Sequence, residues 1–140
     1  MIQNRKYLID SSIWIDLYEN RNGYTKEPLG DFAWKLFSLI KANKNKIVIS
    51  DLLFAELSVY YSDGQLRGMF TPFKDIIERI FVKAEQKHEA EKIAISRNIP
   101  KGDVLHAIMA RENNLILITR DNHFRKLEDI SKHYKPEEII

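Results

Sequence analysis

Four acids, Asp10, Glu56, Asp103 and Asp121, carry the chemistry this sequence offers. They are far apart along the chain, yet each follows a strand-like apolar run or stands near a helix start. Asp10 closes KYLID, and Glu56 lies about one turn into the segment after KIVIS. Asp103 opens DVLHAIMA, and Asp121 follows LILIT. In an open, parallel α/β sheet, ligands bind beyond the carboxyl ends of the strands, where the strand order reverses. Positions of this kind would gather the four carboxylates on one rim. Two carboxylates about 4 Å apart repel by roughly 4 kcal/mol at an effective dielectric of about 20. Such a rim requires a cation among the acids, or protons on some of them. Hard oxygen ligands select Mg²⁺ or Mn²⁺. The chemistry expected is metal-dependent cleavage of a phosphodiester.

The elements that would position these acids can be read along the chain. A short apolar run at 6–9 ends in Asp-Ser-Ser, a strand followed by a helix cap. A brief helix at 13–18 gives way to a loop at 19–30, rich in Asn, Gly, Lys and Pro. Asp31 is expected to cap the next helix, whose Phe32, Leu36, Leu39 and Ile40 recur at helical spacing. Residues 47–49 read as a buried strand and 51–61 as a helix. A second loop is expected at 62–68, with Thr71-Pro72 opening another helix by placing Pro at its first position. A third strand is expected at 80–82, helices at 85–97 and 103–113, the clearest strand at 115–118 and a short helix at 124–130. The tail 133–140 reads as an edge strand or a packed loop. This alternation predicts an α/β fold: a three-layer α/β/α domain around a mainly parallel sheet of four or five strands.

With 140 residues, the chain is expected to form one domain over 1–140, burying about two-thirds of its unfolded surface. The absence of cysteine excludes thiolate metal sites and disulfides and suits a reducing cytoplasm. No segment has the length of a signal peptide's apolar core or of a membrane span. A net charge of +2 does not by itself imply nucleic acid. Its distribution says more, because Arg97, Lys101, Arg111, Arg120, Arg125 and Lys126 gather near Asp103 or Asp121. The plain alternative for each is a solvated helix face.

Four segments, YLIDSSIWID, VISDLLFAEL, IPKGDVLHAIMA and LILITRDNHFRKL, taken in this order, resemble a PIN domain of the VapC toxin kind over nearly the whole chain. The resemblance implies a Mg²⁺- or Mn²⁺-dependent ribonuclease, usually dimeric and often held inactive by a cognate antitoxin. It maps the family's four acids onto Asp10, Glu56, Asp103 and Asp121, and its small polar residues onto Ser12 and Thr119. One departure is His123, where many members carry a further acid two residues after the fourth. Metal binding would then rest on the first three acids. Lys101, Arg120 and Arg125 are the residues expected to hold flanking RNA phosphates.

Each side chain also has a plainer reading. Asp10 and Asp103 could be helix N-caps, Glu56 a surface residue, Asp121 part of a turn, and Ser12 and Thr119 capping or turn hydroxyls. His106 reads as a packing residue on the apolar face of its helix. His88, His123 and His133 lack zinc-site spacing. Trp14, Trp34 and the Tyr60-Tyr61 pair read as core or dimer contacts. Among other functions, a haloacid dehalogenase phosphatase would need an acid where Ser12 stands. A nucleotide-binding domain would need a Gly-rich turn that five scattered glycines do not make. A receiver domain would need a phosphoacceptor Asp ending another strand. The remaining alternative is a catalytically weak PIN-like module that binds RNA or protein.

Overall fold

The computed structural model describes residues 4–140. Five strands form one sheet, all parallel: β1 (Lys6–Ile9), β2 (Lys46–Ser50), β3 (Ile77–Ile80), β4 (Ile116–Ile118) and β5 (His133–Tyr134), in the order β3-β2-β1-β4-β5. The three central strands are nearly continuous apolar runs, KYLI, KIVIS and ILI. That composition follows from a parallel sheet covered on both faces.

Alternate strand residues feed two cores. Tyr7, Ile9, Ile47, Ile49 and Ile118 face α1 (Ser11–Glu19), α2 (Leu29–Ala42), α3 (Asp51–Ser58) and α4 (Asp63–Phe70). Leu8, Val48 and Leu117 face α5 (Ala84–Arg97) and α6 (Lys101–Glu112). The result is the expected three-layer α/β/α arrangement. Trp14 anchors the first core, wholly buried and edge-on to Phe37 and Phe70, with ring centroids 4.6 and 5.1 Å away.

Several expectations shift. Residues 62–68 are helical rather than a loop: Ser62 and Gln65 form a reciprocal capping box that starts α4. After Thr71-Pro72 the chain makes a 3₁₀ segment, Thr71–Ile76, rather than an α-helix. The third strand lies three residues earlier than expected, with Ile80 ending β3. Helix α2 begins at Leu29 behind Pro28, which leaves Asp31 in the first turn rather than at the cap. Likewise α6 begins at Lys101 behind Pro100, and Asp103 is third in that helix. The expected helix after Asp121 is a 3₁₀ segment, Asn122–Leu127. The tail supplies β5 and then a short helix, α7 (Pro136–Ile139).

From β1 the sheet grows one way through β2 and β3, and the other way through β4 and β5. The order therefore reverses between β1 and β4. The crevice beyond the carboxyl ends of these two strands is where an α/β sheet binds its ligand. Asp10 follows β1, and Thr119 to Asp121 follow β4.

Candidate active site

Asp10, Glu56, Asp103 and Asp121 line one open depression of about 380 Å³ at that crevice, together with Ser11, Ser12 and Arg120. Asp10 is the most strongly fixed of the four and is almost fully buried. Its Oδ1 accepts the Ser11 backbone N–H at 2.9 Å, so it does cap α1. Its Oδ2 accepts hydroxyl bonds from Ser12 at 3.1 Å and Thr119 at 3.0 Å. The capping role and the site role therefore use different bonds of one carboxylate. Thr119 is fully buried, and its hydroxyl also accepts the Asp121 backbone N–H at 3.1 Å, which connects the first and fourth acids.

Glu56 projects from α3 toward α6. Its Oε1 is 3.0 Å from Nε2 of His106, a buried ring whose Nδ1 has no partner among the described residues. Burial disfavours a charged imidazole there, but the hydrogen bond and charge of Glu56 outweigh it and hold the His106 pKa above its ordinary value. Gly102 leaves room on the other side: a Cβ at that position would meet Glu56 Oε2 at 3.2 Å.

Asp103 is half-buried, and burial raises its pKa, reinforced by the nearby charges of Asp121 and Asp10. His123 opposes that rise. Its Nδ1 lies 2.8 Å from Asp103 Oδ2 and 3.1 Å from Asp121 Oδ1, and its pKa is raised by the Asp103 hydrogen bond and the Asp121 charge. Asp121 also accepts the His123 backbone N–H at 2.9 Å, capping the 3₁₀ segment. The four acids of the depression, with two histidines beside it, form two sets of potential ligand atoms, each within 4.8 Å: Asp10, Glu56 and His106, and Asp103, Asp121 and His123. Carboxylate oxygens supplemented by imidazole, with no thiolate available, fit a hard divalent cation. The crowding of negative charge that raises the Asp103 pKa is what such a cation would relieve.

The basic residues divide. Lys101 and Arg125 are exposed. Arg120 reaches the depression, but its guanidinium is held in a two-pronged bond by Glu137 at 2.7 and 2.9 Å and approaches Asp16 at 3.7 Å. Arg97 is paired with Asp129, and Arg111 with Glu89. Both therefore act within the helical surface.

Sequence reasoning missed three contributors. Asp16 is buried between Arg21 and Arg120, and burial raises its pKa against the pull of Arg21. An acid amid IWIDL was its visible signal. His106 is more than a packing residue, because it holds Glu56. Its place one turn after Asp103 was the available clue. Gly102 gives the Glu56 carboxylate room, since a Cβ there would meet its Oε2 at 3.2 Å, and nothing in the sequence marks that role. Trp14 and Tyr61 are core residues as expected, whereas Trp34 and Tyr60 are exposed.

The chain matches the family model described as PIN domain over residues 7–130. No curated protein matches it. Among solved structures it is similar to VapBC2 from Rickettsia felis bound to a DNA fragment from their promoter, at 22% identity and a TM-score of 0.62, covering 86% of this chain and 92% of that one. It is similar also to a toxin-antitoxin complex from Klebsiella pneumoniae, at 18% identity and a TM-score of 0.66, covering 93% and 97%. FitAcB from Neisseria gonorrhoeae gives 15% identity and a TM-score of 0.60, covering 94% and 98%. At these identities the likeness speaks to the fold.

Proposed function

This chain belongs to the PIN domain family, and from that premise we propose that it is a Mg²⁺- or Mn²⁺-dependent endoribonuclease, the toxin of a VapBC-type toxin–antitoxin pair. The observation that carries the reading is the convergence of Asp10, Glu56, Asp103 and Asp121 at the point where the strand order reverses. A surface module that only bound RNA would gain nothing from four crowded carboxylates facing a polyanion.

In this reading Asp10 and Asp103 are the principal cation ligands, and Glu56 and Asp121 complete the shell. Ser12 and Thr119 fix the Asp10 carboxylate, and His106 and His123 hold Glu56 and Asp103. When bound, the cation would neutralise charge at the scissile phosphate and acidify a water. Asp121 or Glu56 would orient that water and take its proton as it attacks phosphorus in line, while the P–O3′ bond breaks and the leaving oxygen is protonated to the 3′-hydroxyl. Exposed Lys101 and Arg125 would hold flanking phosphates and make binding salt-dependent. Arg120 would add charge at the rim, with its guanidinium already steadied by Glu137 and Asp16.

Partners follow from the same premise. The relatives solved as toxin-antitoxin complexes support a cognate antitoxin that covers the acidic rim, where an inserted arginine would mimic the cation's charge. A homodimer would use the apolar groove lined by Leu17, Tyr18, Trp34, Met69 and Phe73, which spans α1, α2 and α4. No helix among the described residues is long and apolar enough to cross a membrane, and a cysteine-free chain suits the cytoplasm.

The chemistry is tested by the product ends. Attack by water needs no 2′-hydroxyl, so a substrate with one deoxynucleotide at the cleaved position should still be cut, leaving a 5′-phosphate and a 3′-hydroxyl. A 2′,3′-cyclic phosphate, or loss of cleavage with that substrate, would reject the mechanism.

A further inference from the structure

The acidic depression continues into a second groove of about 470 Å³, with Ser11 and Ser12 as the shared wall. Ile15, Glu19, Arg21, Tyr60 and Tyr61 line the rest of it. The two tyrosines differ. Tyr61 is buried, its hydroxyl bonds Glu19, and its ring meets Tyr18 edge-on at 5.1 Å. Tyr60 is 69% exposed and has no ring partner among the described residues. It stands four residues beyond Glu56, in a turn that carries on from α3 through a bond from the Tyr60 N–H to the Leu57 carbonyl at 3.0 Å. Tyr60 thus stands just past the end of the helix that carries Glu56, in a groove that shares Ser11 and Ser12 with the acidic depression.

Arg21, also in the lining, is held in place. Arg21 Nε and Nη2 each lie 2.9 Å from Oδ1 of the buried Asp16, while the Arg21 side chain remains 46% exposed. The groove thus offers an aromatic face, a fixed guanidinium and a fixed carboxylate directly beside the place where a phosphodiester would be cut. A polymeric substrate must run out of the acidic depression along some path. This groove is continuous with it, and its mixed polar lining suits a nucleotide better than an apolar protein segment.

We propose that this groove is the subsite for the unpaired nucleotide next to the scissile phosphate, with its base stacked on Tyr60 and its backbone toward Arg21. The assignment rests on the nuclease reading of the adjoining site. Aromatic stacking takes any base, but only one whose face is free. A paired, stacked base offers none, so the subsite selects single-stranded RNA.

The test uses the full chain without a partner and a labelled unstructured RNA oligonucleotide, with Ca²⁺ replacing Mg²⁺ or Mn²⁺ to hold hydrolysis back. Tyr60→Ala should weaken binding roughly ten- to hundred-fold, and in Mn²⁺ should raise KM while kcat holds. Tyr60→Phe and Tyr60→Trp should restore both, because each keeps a ring. Binding of a blunt-ended duplex of two complementary strands should not respond to the substitution, and calorimetric Mn²⁺ binding should be unchanged in all variants. If the wild type cuts RNA and Tyr60→Ala cuts and binds as well as it does, the subsite is refuted while the nuclease reading stands. The subsite is likewise refuted if Tyr60→Ala weakens only self-association or capture of a protein partner. If the wild type neither binds nor cuts RNA with any cation, both fall.

Discussion

Thr119 donates to Asp10 across 109 positions of sequence, Oγ1 to Oδ2 at 3.0 Å, and the same oxygen accepts the Asp121 N–H. One buried hydroxyl therefore sets the spacing of two acids at the ends of β1 and β4. Thr119→Val keeps the shape and removes both bonds. It leaves the Asp121 N–H without its acceptor and the buried Asp10 Oδ2 with Ser12 alone, a cost of about 1 kcal/mol. Urea denaturation should show that loss, and Mn²⁺ affinity should fall with it. Thr119→Ser should recover most of both. Unchanged stability in Thr119→Val would mean the hydroxyl is not holding the acids.

Glycine at position 102 separates stability from activity. Gly102→Ala puts a Cβ 3.2 Å from Glu56 Oε2, while Oε1 is held by His106. The helix should gain about 0.5–1 kcal/mol from the replacement, less whatever the displaced carboxylate costs. Thermal unfolding should therefore stay level or rise while RNA cleavage drops. Full activity in the alanine variant would show that Glu56 needs no fixed position.

Cation binding should stabilise the fold. At a hundred times its Kd, Mn²⁺ should add about 2.7 kcal/mol, read as an upward shift in Tm. Asp10→Asn combined with Asp103→Asn should abolish the shift. A shift that survives both substitutions would locate the ion elsewhere.

Alkaline pH offers an independent check on the packing beside the site. Burial, with the Glu19 bond and charge, pushes the Tyr61 hydroxyl up to about 12. Its folded pKa exceeds the unfolded value of about 10, so the folded state binds the proton more tightly. That stability is fully present below about pH 10 and is lost as pH rises through 12. Tyr61→Phe should flatten this fall, and absorbance titration of the wild type should show a late-ionising tyrosine that Tyr61→Phe removes. An identical titration of the wild type and Tyr61→Phe at high pH would contradict this hydrogen bond.

The strands that carry the acids were legible in the sequence because β1, β2 and β4 are covered on both faces and read as unbroken apolar runs. The edge strand β3 was less so. IERI sets two adjacent charges between half-buried isoleucines, and the more apolar IFV that overlaps its end drew the reading three residues late. Helix α4 hid behind two glycines and only two buried residues, Leu66 and Met69, although Ser62 and Gln65 spelled its capping box. Of the candidate site, the four acids could be named from their places after strand-like runs or near helix starts, and Ser12 and Thr119 from the family resemblance, and the structure brings them together. The role of His106 could not be read, because its partner Glu56 is 50 positions away; Asp16 bonds the nearby Arg21, but its link to the site runs through Arg120, 104 positions away (120 − 16). Such contacts come only with the sheet order.

Hydrolysis of RNA at the carboxylate cluster can be measured outright. Partner-free protein is incubated with structured RNA and Mn²⁺ or Mg²⁺, with and without chelator, beside Asp10→Ala and Asp103→Ala variants checked for fold by circular dichroism. The wild type should make metal-dependent cuts in exposed loops, with none in chelator and none by either folded variant. Cleavage at the wild-type rate by both variants would contradict hydrolysis at these acids.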